Sequence, residues 1–215
     1  MSLSLYQVGA GCQARLPERH SLRDLIYELG YHADDNLPHT PMSPVTRADL
    51  ERLMGKAGFK VGAEIGVWNG VHAAEMFNNI PGLELYCVDS WSAFYQERLF
   101  TNQEMISVYE DAKENLNGRN AHIVRGMSAE VSKLILDRTL DFVYIDACHY
   151  FNEVMLDIIL WAPKVRSGGI VAGHDFRDLY KCGVVETVRA YTQANKINEW
   201  FITFEEFPSW FWIAK

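Results

Sequence analysis

The chain has 215 residues, 48% hydrophobic and 22% charged, with 20 Lys and Arg against 28 Asp and Glu for a net charge of −8. That composition describes one globular domain with a sizeable core and excludes a disordered or fibrous chain. The acidic balance and dispersed basic residues speak against a phosphate-tracking surface, so no nucleic-acid partner is expected.

No apolar run approaches the ~18 residues of a membrane span, and no charged segment followed by a long apolar stretch marks a leader, so a cytoplasmic protein without a membrane partner is expected. The four cysteines, Cys12, Cys87, Cys148 and Cys182, show no C-x-x-C pairing. Neither a disulfide framework nor a zinc site is legible, which fits a reducing compartment.

In chain order, Leu22, Leu25, Ile26 and Leu29 share one face of a short helix capped by Ser21 and ended by Gly30. Pro38, Pro41 and Pro44 then break regular structure. Residues 1–45 read as an N-terminal helical lid with a Pro-containing loop, and 46–215 as the main domain. Thr46 caps a second helix that carries the stripe Leu50, Leu53, Met54 and Ala57 and stops at Gly58.

From there strands and helices alternate. The spacing predicts strands at 61–65, 84–88, 121–125, 140–145 and 169–173, with helices at 71–79, 102–116, 128–136, from 151 to Pro163, and 184–194. The helix after residue 150 has the clearest period, with Phe151, Val154, Met155, Ile158, Ile159 and Ala162 on one face. Two aromatic runs, Trp200–Phe204 and Trp210–Ile213, read as a closing hairpin whose rings are core. Alternating βα units with such an ending predict an α/β doubly wound, Rossmann-like, mostly parallel seven-stranded sheet with a reversed C-terminal strand.

Ligands of such sheets bind at the carboxyl ends of the strands. The first strand delivers Glu64 and then Gly66-Val-Trp68-Asn69-Gly70, and the second delivers Asp89, Ser90 and Trp91. A dinucleotide loop would read G-x-G-x-x-G, because a pyrophosphate must lie against bare backbone at a helix N-terminus. Bulky residues fill that gap here and an acid precedes it, which suits S-adenosyl-L-methionine better than a nicotinamide dinucleotide. Asp89 is expected on the ribose hydroxyls and His72 on the methionine carboxylate. For His72 a solvated helix position is the equal alternative. Trp91 is a candidate to stack on adenine, with core filling near a strand end the commoner role, and Ser128 is expected as helix cap first and adenine-side contact second.

A second constellation joins Asp146 and His149 to His174 and Asp175, thirty residues on at the end of a strand that should be a neighbour. Asp146, His174 and Asp175 are the expected ligands of a divalent cation, Mg²⁺ or Mn²⁺. With the cation acidifying an acceptor hydroxyl, His149 is the expected base, and Asp146 serves both cofactor and catalysis.

The stretches Ile145-Asp146-Ala-Cys-His149-Tyr150-Phe-Asn-Glu-Val154, Asp157-Ile-Ile-Leu-Trp161-Ala-Pro163 and Gly168-Gly169-Ile-Val-Ala-Gly173-His174-Asp175-Phe176 resemble a bacterial group of class I S-adenosylmethionine-dependent O-methyltransferases. That group carries I-D-x-x-H, D-x-x-x-W-x-P and G-G-x-x-x-G-H-D-[YF] signatures. The likeness spans roughly residues 60–178 and extends more distantly to catechol and macrocin O-methyltransferases.

The resemblance implies methyl transfer to a hydroxyl of a small molecule of sugar, polyketide or phenol type. It places Glu64 at the cofactor's methionine end, Asp89 on its ribose and Asp146 on magnesium. Catechol O-methyltransferase has a lysine base where this chain has His149, and two acids or Asp-Asn where it has His174-Asp175. The rival readings are a non-catalytic S-adenosylmethionine-binding protein and, with less support, a nicotinamide oxidoreductase. The sequence is compatible with a homodimer.

Overall fold

The computed structural model describes residues 21–32, 37–95, 98–179 and 181–215. Cys12 and the rest of residues 1–20, part of the expected lid, lie outside the described residues.

Two helices open the described chain, α1 (Leu22–Glu28) and α2 (Arg47–Lys56). Both start on reciprocal caps: Ser21 and Asp24 bond each other's backbone N–H, and the Thr46 N–H and hydroxyl both donate to Asp49. The alternation follows: β1 (Val61–Ile65), α3 (Val71–Asn79), β2 (Glu84–Asp89), a ribbon of β3 (Phe94–Tyr95) and β4 (Arg98–Leu99), α4 (Asn102–Asn115) and β5 (Ala121–Arg125). The second half has α5 (Ser128–Val131) running into a 3₁₀ turn, β6 (Leu140–Ile145), α6 (Phe151–Trp161), β7 (Val165–Gly173), α7 (Val184–Ala194), β8 (Phe201–Ile202) and β9 (Trp210–Ile213).

One seven-stranded sheet runs β5-β2-β1-β6-β7-β9-β8, and β9 lies antiparallel to both its neighbours. The expected doubly wound sheet with one reversed strand is therefore present. Its two faces bury separate cores, and alternation along β6 feeds both: Phe142 and Tyr144 enter one, Val143 and Ile145 the other. The first core takes Ile26 of α1, Leu50, Leu53 and Met54 of α2 and Met76 of α3, and the second takes Ile158 and Trp161 of α6 and Val188 of α7. Tyr31 and Val45 also enter the first core, and His39 bridges to Phe201 of β8.

Three local expectations need correction. β7 begins at Val165 rather than at 169, because a register shift between Leu140 and Phe142 carries the polar Arg166–Gly168 inside the strand, with Gly168 at φ 75°. The ribbon β3–β4 lies between residues 88 and 102, where the spacing predicted no strand. On α6 the buried positions are Val154, Asp157, Ile158 and Trp161, while Phe151 and Ile159 are exposed. The inward face thus includes an acid that a hydrophobic pattern passes over.

The ladder runs one residue past the strand ends and so sets the rim. Gly66 N–H donates to Val88 O (2.8 Å), Asp146 N–H to Ile65 O (2.8 Å), His174 N–H to Ile145 O (3.0 Å) and Gly126 N–H to Asp89 O (2.9 Å). Gly66 has φ 92°, and a Cβ there would lie 2.1 Å from Asp146 O. Both the backbone conformation and the close approach require glycine. Gly66→Ala is expected to cost about 3 kcal/mol or more in urea unfolding; a loss under about 1 kcal/mol would contradict so tight an approach.

Candidate active site

A cavity of about 340 Å³ opens at the carboxyl ends of β1, β2, β5 and β6. Gly66, Asp89, Ser90 and Ser128 line it, as expected of cofactor contacts, together with Ala147, Cys148 and Tyr150 from the β6–α6 connection. Most of the remaining wall is apolar, from Ile65, Val88, Met127, Ala129 and Leu156. The size and mostly apolar lining are those of a small-molecule site.

Asp89 organises the glycine turn. Its Oδ2 accepts the N–H groups of Val67 (3.0 Å) and Trp68 (2.9 Å), and its Oδ1 accepts Trp91 N–H (2.8 Å). A carboxylate offers about four acceptor positions, so one is left over, enough for one ribose hydroxyl rather than two. The turn is closed further by Gly70 N–H on Val67 O and Val71 N–H on Asn69 Oδ1. The amides that would cradle a pyrophosphate in a dinucleotide site are thus already satisfied inside the protein.

Several expected ligand contacts are instead structural. Trp91 is fully buried, packs on Tyr109 and donates its indole N–H to Trp68 O (2.8 Å), so its ring cannot stack on a base. Trp68 leans on Phe100 and Asn69 O accepts from Asn115; neither residue borders the cavity, nor does Gly70, which starts α3 at φ 77°. The N-cap of α5 is Met127, so Ser128 is not the cap. Its hydroxyl donates to Asp157 Oδ1 and accepts Trp161 Nε1–H (2.8 Å).

His72 is not available to a methionine carboxylate. Its Nδ1 lies 2.6 Å from Glu64 Oε1 and its Nε2 3.0 Å from Glu51 Oε1, while Asn79 holds the other oxygen of Glu51 (2.6 Å). Burial alone would lower the imidazole, but the two glutamates outweigh it and push its pKa up to about 9. Burial raises the Glu64 carboxyl despite the imidazolium beside it, and among the described residues Glu64 Oε2 has no hydrogen-bond partner. At 1% exposure Glu64 offers a ligand almost no surface.

The second rim cluster is a triad. His149 Nε2 stands 3.0 Å from Asp175 Oδ2 and 3.5 Å from Asp146 Oδ1, and ligand atoms of Asp146, His149 and Asp175 all fall within 4.8 Å of one another. His174 is not among them: its Nδ1 lies 3.3 Å from Asp175 Oδ1 and 3.7 Å from Asp146 Oδ2, beside the set. The ligand candidate is His149, whose carbonyl oxygen also accepts the N–H of Gly183 at the start of α7 (2.8 Å).

Burial works to lower the His149 pKa, but Asp146 and Asp175 hold it above the ordinary imidazole range. Burial likewise works to raise Asp175, and the His174 and His149 rings hold it low. Two carboxylates at this distance need a positive charge between them, and either a proton on His149 or a cation provides it.

Two residues that matter here, Arg47 and Glu51, escaped the sequence reading, and a third, Asp157, stood in the D-x-x-x-W-x-P signature without an assigned role. Arg47, at the start of α2, is mostly buried, pairs with Glu75 (3.5 Å) and adds positive charge near Asp146 and Asp175. Glu51 holds His72, and Asp157 lines the cavity at 6% exposure. The four-residue spacing of Asp157 and Trp161 was the available signal, since it puts both on one helix face, where both meet Ser128.

Because the folded-state pKa of His72 exceeds the free value of 6.5, its stabilisation is complete below pH 6.5 and is lost as pH rises through about 9. Urea unfolding is expected to show a loss of up to about 3 kcal/mol between about pH 6.5 and pH 9.5 that His72→Asn largely removes. Equal pH profiles for the two proteins would contradict the bridging imidazolium.

Comparison with known proteins bears on the chemistry. The sequence profile of a family described as a methyltransferase domain matches residues 63–176, just over half the chain. Among solved structures the fold is similar to one assigned as an rRNA methylase from Clostridium thermocellum, at 9% identity and TM-score 0.58 over 79% of this chain and 98% of that one. It is also similar to one assigned as an O-methyltransferase from Klebsiella pneumoniae (14% identity, TM-score 0.57, 81% and 84% covered). A third is assigned as a caffeoyl-CoA O-methyltransferase from Staphylococcus aureus (17% identity, TM-score 0.56, 90% of each chain). A search of curated proteins gave no match. At such identities the structures share the fold alone, and no described helix is long and apolar enough to cross a membrane. With the profile covering both the glycine turn and the triad, the chain belongs to the methyltransferase domain family.

Proposed function

We propose that the protein transfers a methyl group from S-adenosyl-L-methionine to a hydroxyl of a small molecule, with the nucleoside in the cavity and the acceptor over the triad. The observation that carries this is the closure of the glycine turn by Asp89. With the amides of Val67 and Trp68 taken, the turn suits a nucleoside without phosphates. Asp89 keeps one acceptor position for the ribose, and the buried negative charge of Glu64 lies beneath the rim near which a sulfonium would sit.

The acceptor's assignment as a small hydroxyl compound rests on the triad and on the likeness to O-methyltransferases. Asp146, His149 and Asp175 would hold a divalent cation such as Mg²⁺ or Mn²⁺, which would supply Lewis-acid activation of the hydroxyl. A ring that ligates cannot also take the acceptor's proton. The 3.0 Å pairing of His149 with Asp175 therefore supports a second reading, in which the site works without a cation and His149, oriented by Asp175, is the base. In either case methyl transfer is in line, so what this chain contributes is alignment and charge placement.

Two measurements test these assignments. Calorimetry is expected to show binding of S-adenosylhomocysteine, weakened tenfold or more in Asp89→Ala, and no binding of NADH; tight NADH binding alone would reverse the choice of cofactor. Mn²⁺ is expected to bind one site per chain, seen by electron paramagnetic resonance, and to be lost in Asp175→Asn. Methyl transfer to a panel of phenols and sugars that is undiminished by a chelator would remove the cation and favour His149 as base.

A further inference from the structure

Asp157 is a buried carboxylate facing an otherwise mostly apolar slot, and that needs a reason. It is 6% exposed, it borders the cavity, and burial lifts its pKa to about 6. Among the described residues its single hydrogen bond comes from Ser128. A buried carboxylate with most of its acceptor positions unused is costly unless something else donates to it.

The neighbours determine what that donor is. The Trp161 indole N–H is given to Ser128 Oγ, which commits the serine proton to Asp157 Oδ1. Ser128 therefore has no proton left for a ligand, and the relay fixes the carboxylate in place. This end of the slot presents acceptors only. Asp89, at the close of β2, and Glu153 also line the cavity, and Met127 and Leu156 supply apolar surface.

On the reading that a nucleoside occupies this cavity, we propose that Asp157 is the residue that selects the base, its carboxylate accepting the exocyclic 6-amino group of adenine. Adenine carries an N–H donor at that edge, whereas hypoxanthine and guanine carry a carbonyl oxygen there. Against Asp157 a carbonyl would set acceptor against acceptor in a dry pocket, and sites built this way reject the mismatched isostere strongly. Ser128 and Trp161 are positioning residues that act through Asp157. The sequence reading placed Ser128 on the adenine side; this proposal assigns the contact to Asp157, with Ser128 behind it.

The test is calorimetric titration of S-adenosylhomocysteine and its 6-oxo counterpart, S-inosylhomocysteine, into the wild-type chain and Asp157→Asn. The wild type is expected to prefer the amino compound by tenfold or more. The variant, whose amide can turn a donor or an acceptor to the base, is expected to prefer it by less than threefold. If Asp157→Asn does not fold, Asp157→Ser is read the same way, and the wild type is expected to bind the 6-deamino analogue tenfold more weakly. A wild type that binds both nucleosides equally, or a variant that keeps the wild-type ratio, overturns the assignment of Asp157 and leaves the cofactor reading standing. A wild type that binds neither overturns both.

Discussion

Gly66 is where two halves of the site become one object. Its backbone passes so close to Asp146 that no side chain fits between them, and the ladder bonds Gly66–Val88 and Asp146–Ile65 lock the approach from both sides. Gly66, the residue of the glycine turn that borders the cavity, and the acid that heads the triad are thus separated by backbone alone. Neither can shift without the other, and this is the rigidity that in-line transfer between two bound molecules demands. Asp89 extends the same logic by tying the turn and the Trp91 segment to the end of β2.

Charge is distributed around that joint in two clusters with different solutions to burial. Below the rim, Glu51 and Glu64 share one imidazolium, so the cluster keeps a net negative charge with one carboxylate oxygen unpartnered. At the rim, Asp146 and Asp175 flank His149, and the half-open position admits either a proton or a metal ion. Arg47 adds positive charge between the two clusters without neutralising either. Buried acids beside the cavity proposed for the nucleoside would favour a cationic ligand, the property that separates a sulfonium donor from a dinucleotide.

The architecture was legible because backbone periodicity carries it. Strands apolar on both faces, such as Leu140–Ile145, and the aromatic ending at Trp210–Ile213 specify a parallel sheet closed by a reversed strand whatever the side chains meet. The rim positions were legible for the same reason, since topology alone brings Glu64, Asp89, Asp146 and Asp175 to one end. Side-chain partners were not. His72 reads as an exposed first-turn residue until α2, from elsewhere in the chain, supplies Glu51. Trp91 at a strand end can point outward or inward, and φ 40° turns it into the core. His149 and His174 both lie within 4 Å of the two acids, and spacing could not tell that His149 is the one whose ligand atom groups with Asp146 and Asp175. Asp157 was quoted in the D-x-x-x-W-x-P signature without a role, because its partner Ser128 comes from another element.

The central claim is that a sulfonium nucleoside lies between Asp89 and Asp157 with its sulfur end toward the triad. A crystal of the protein grown with S-adenosylhomocysteine and Mn²⁺, measured for anomalous scattering, tests it directly. The account predicts ribose on Asp89, the base's amino group on Asp157 and an anomalous peak bounded by Asp146, His149 and Asp175. A nucleoside bound outside this cavity, or one whose sulfur points away from the triad, would contradict it.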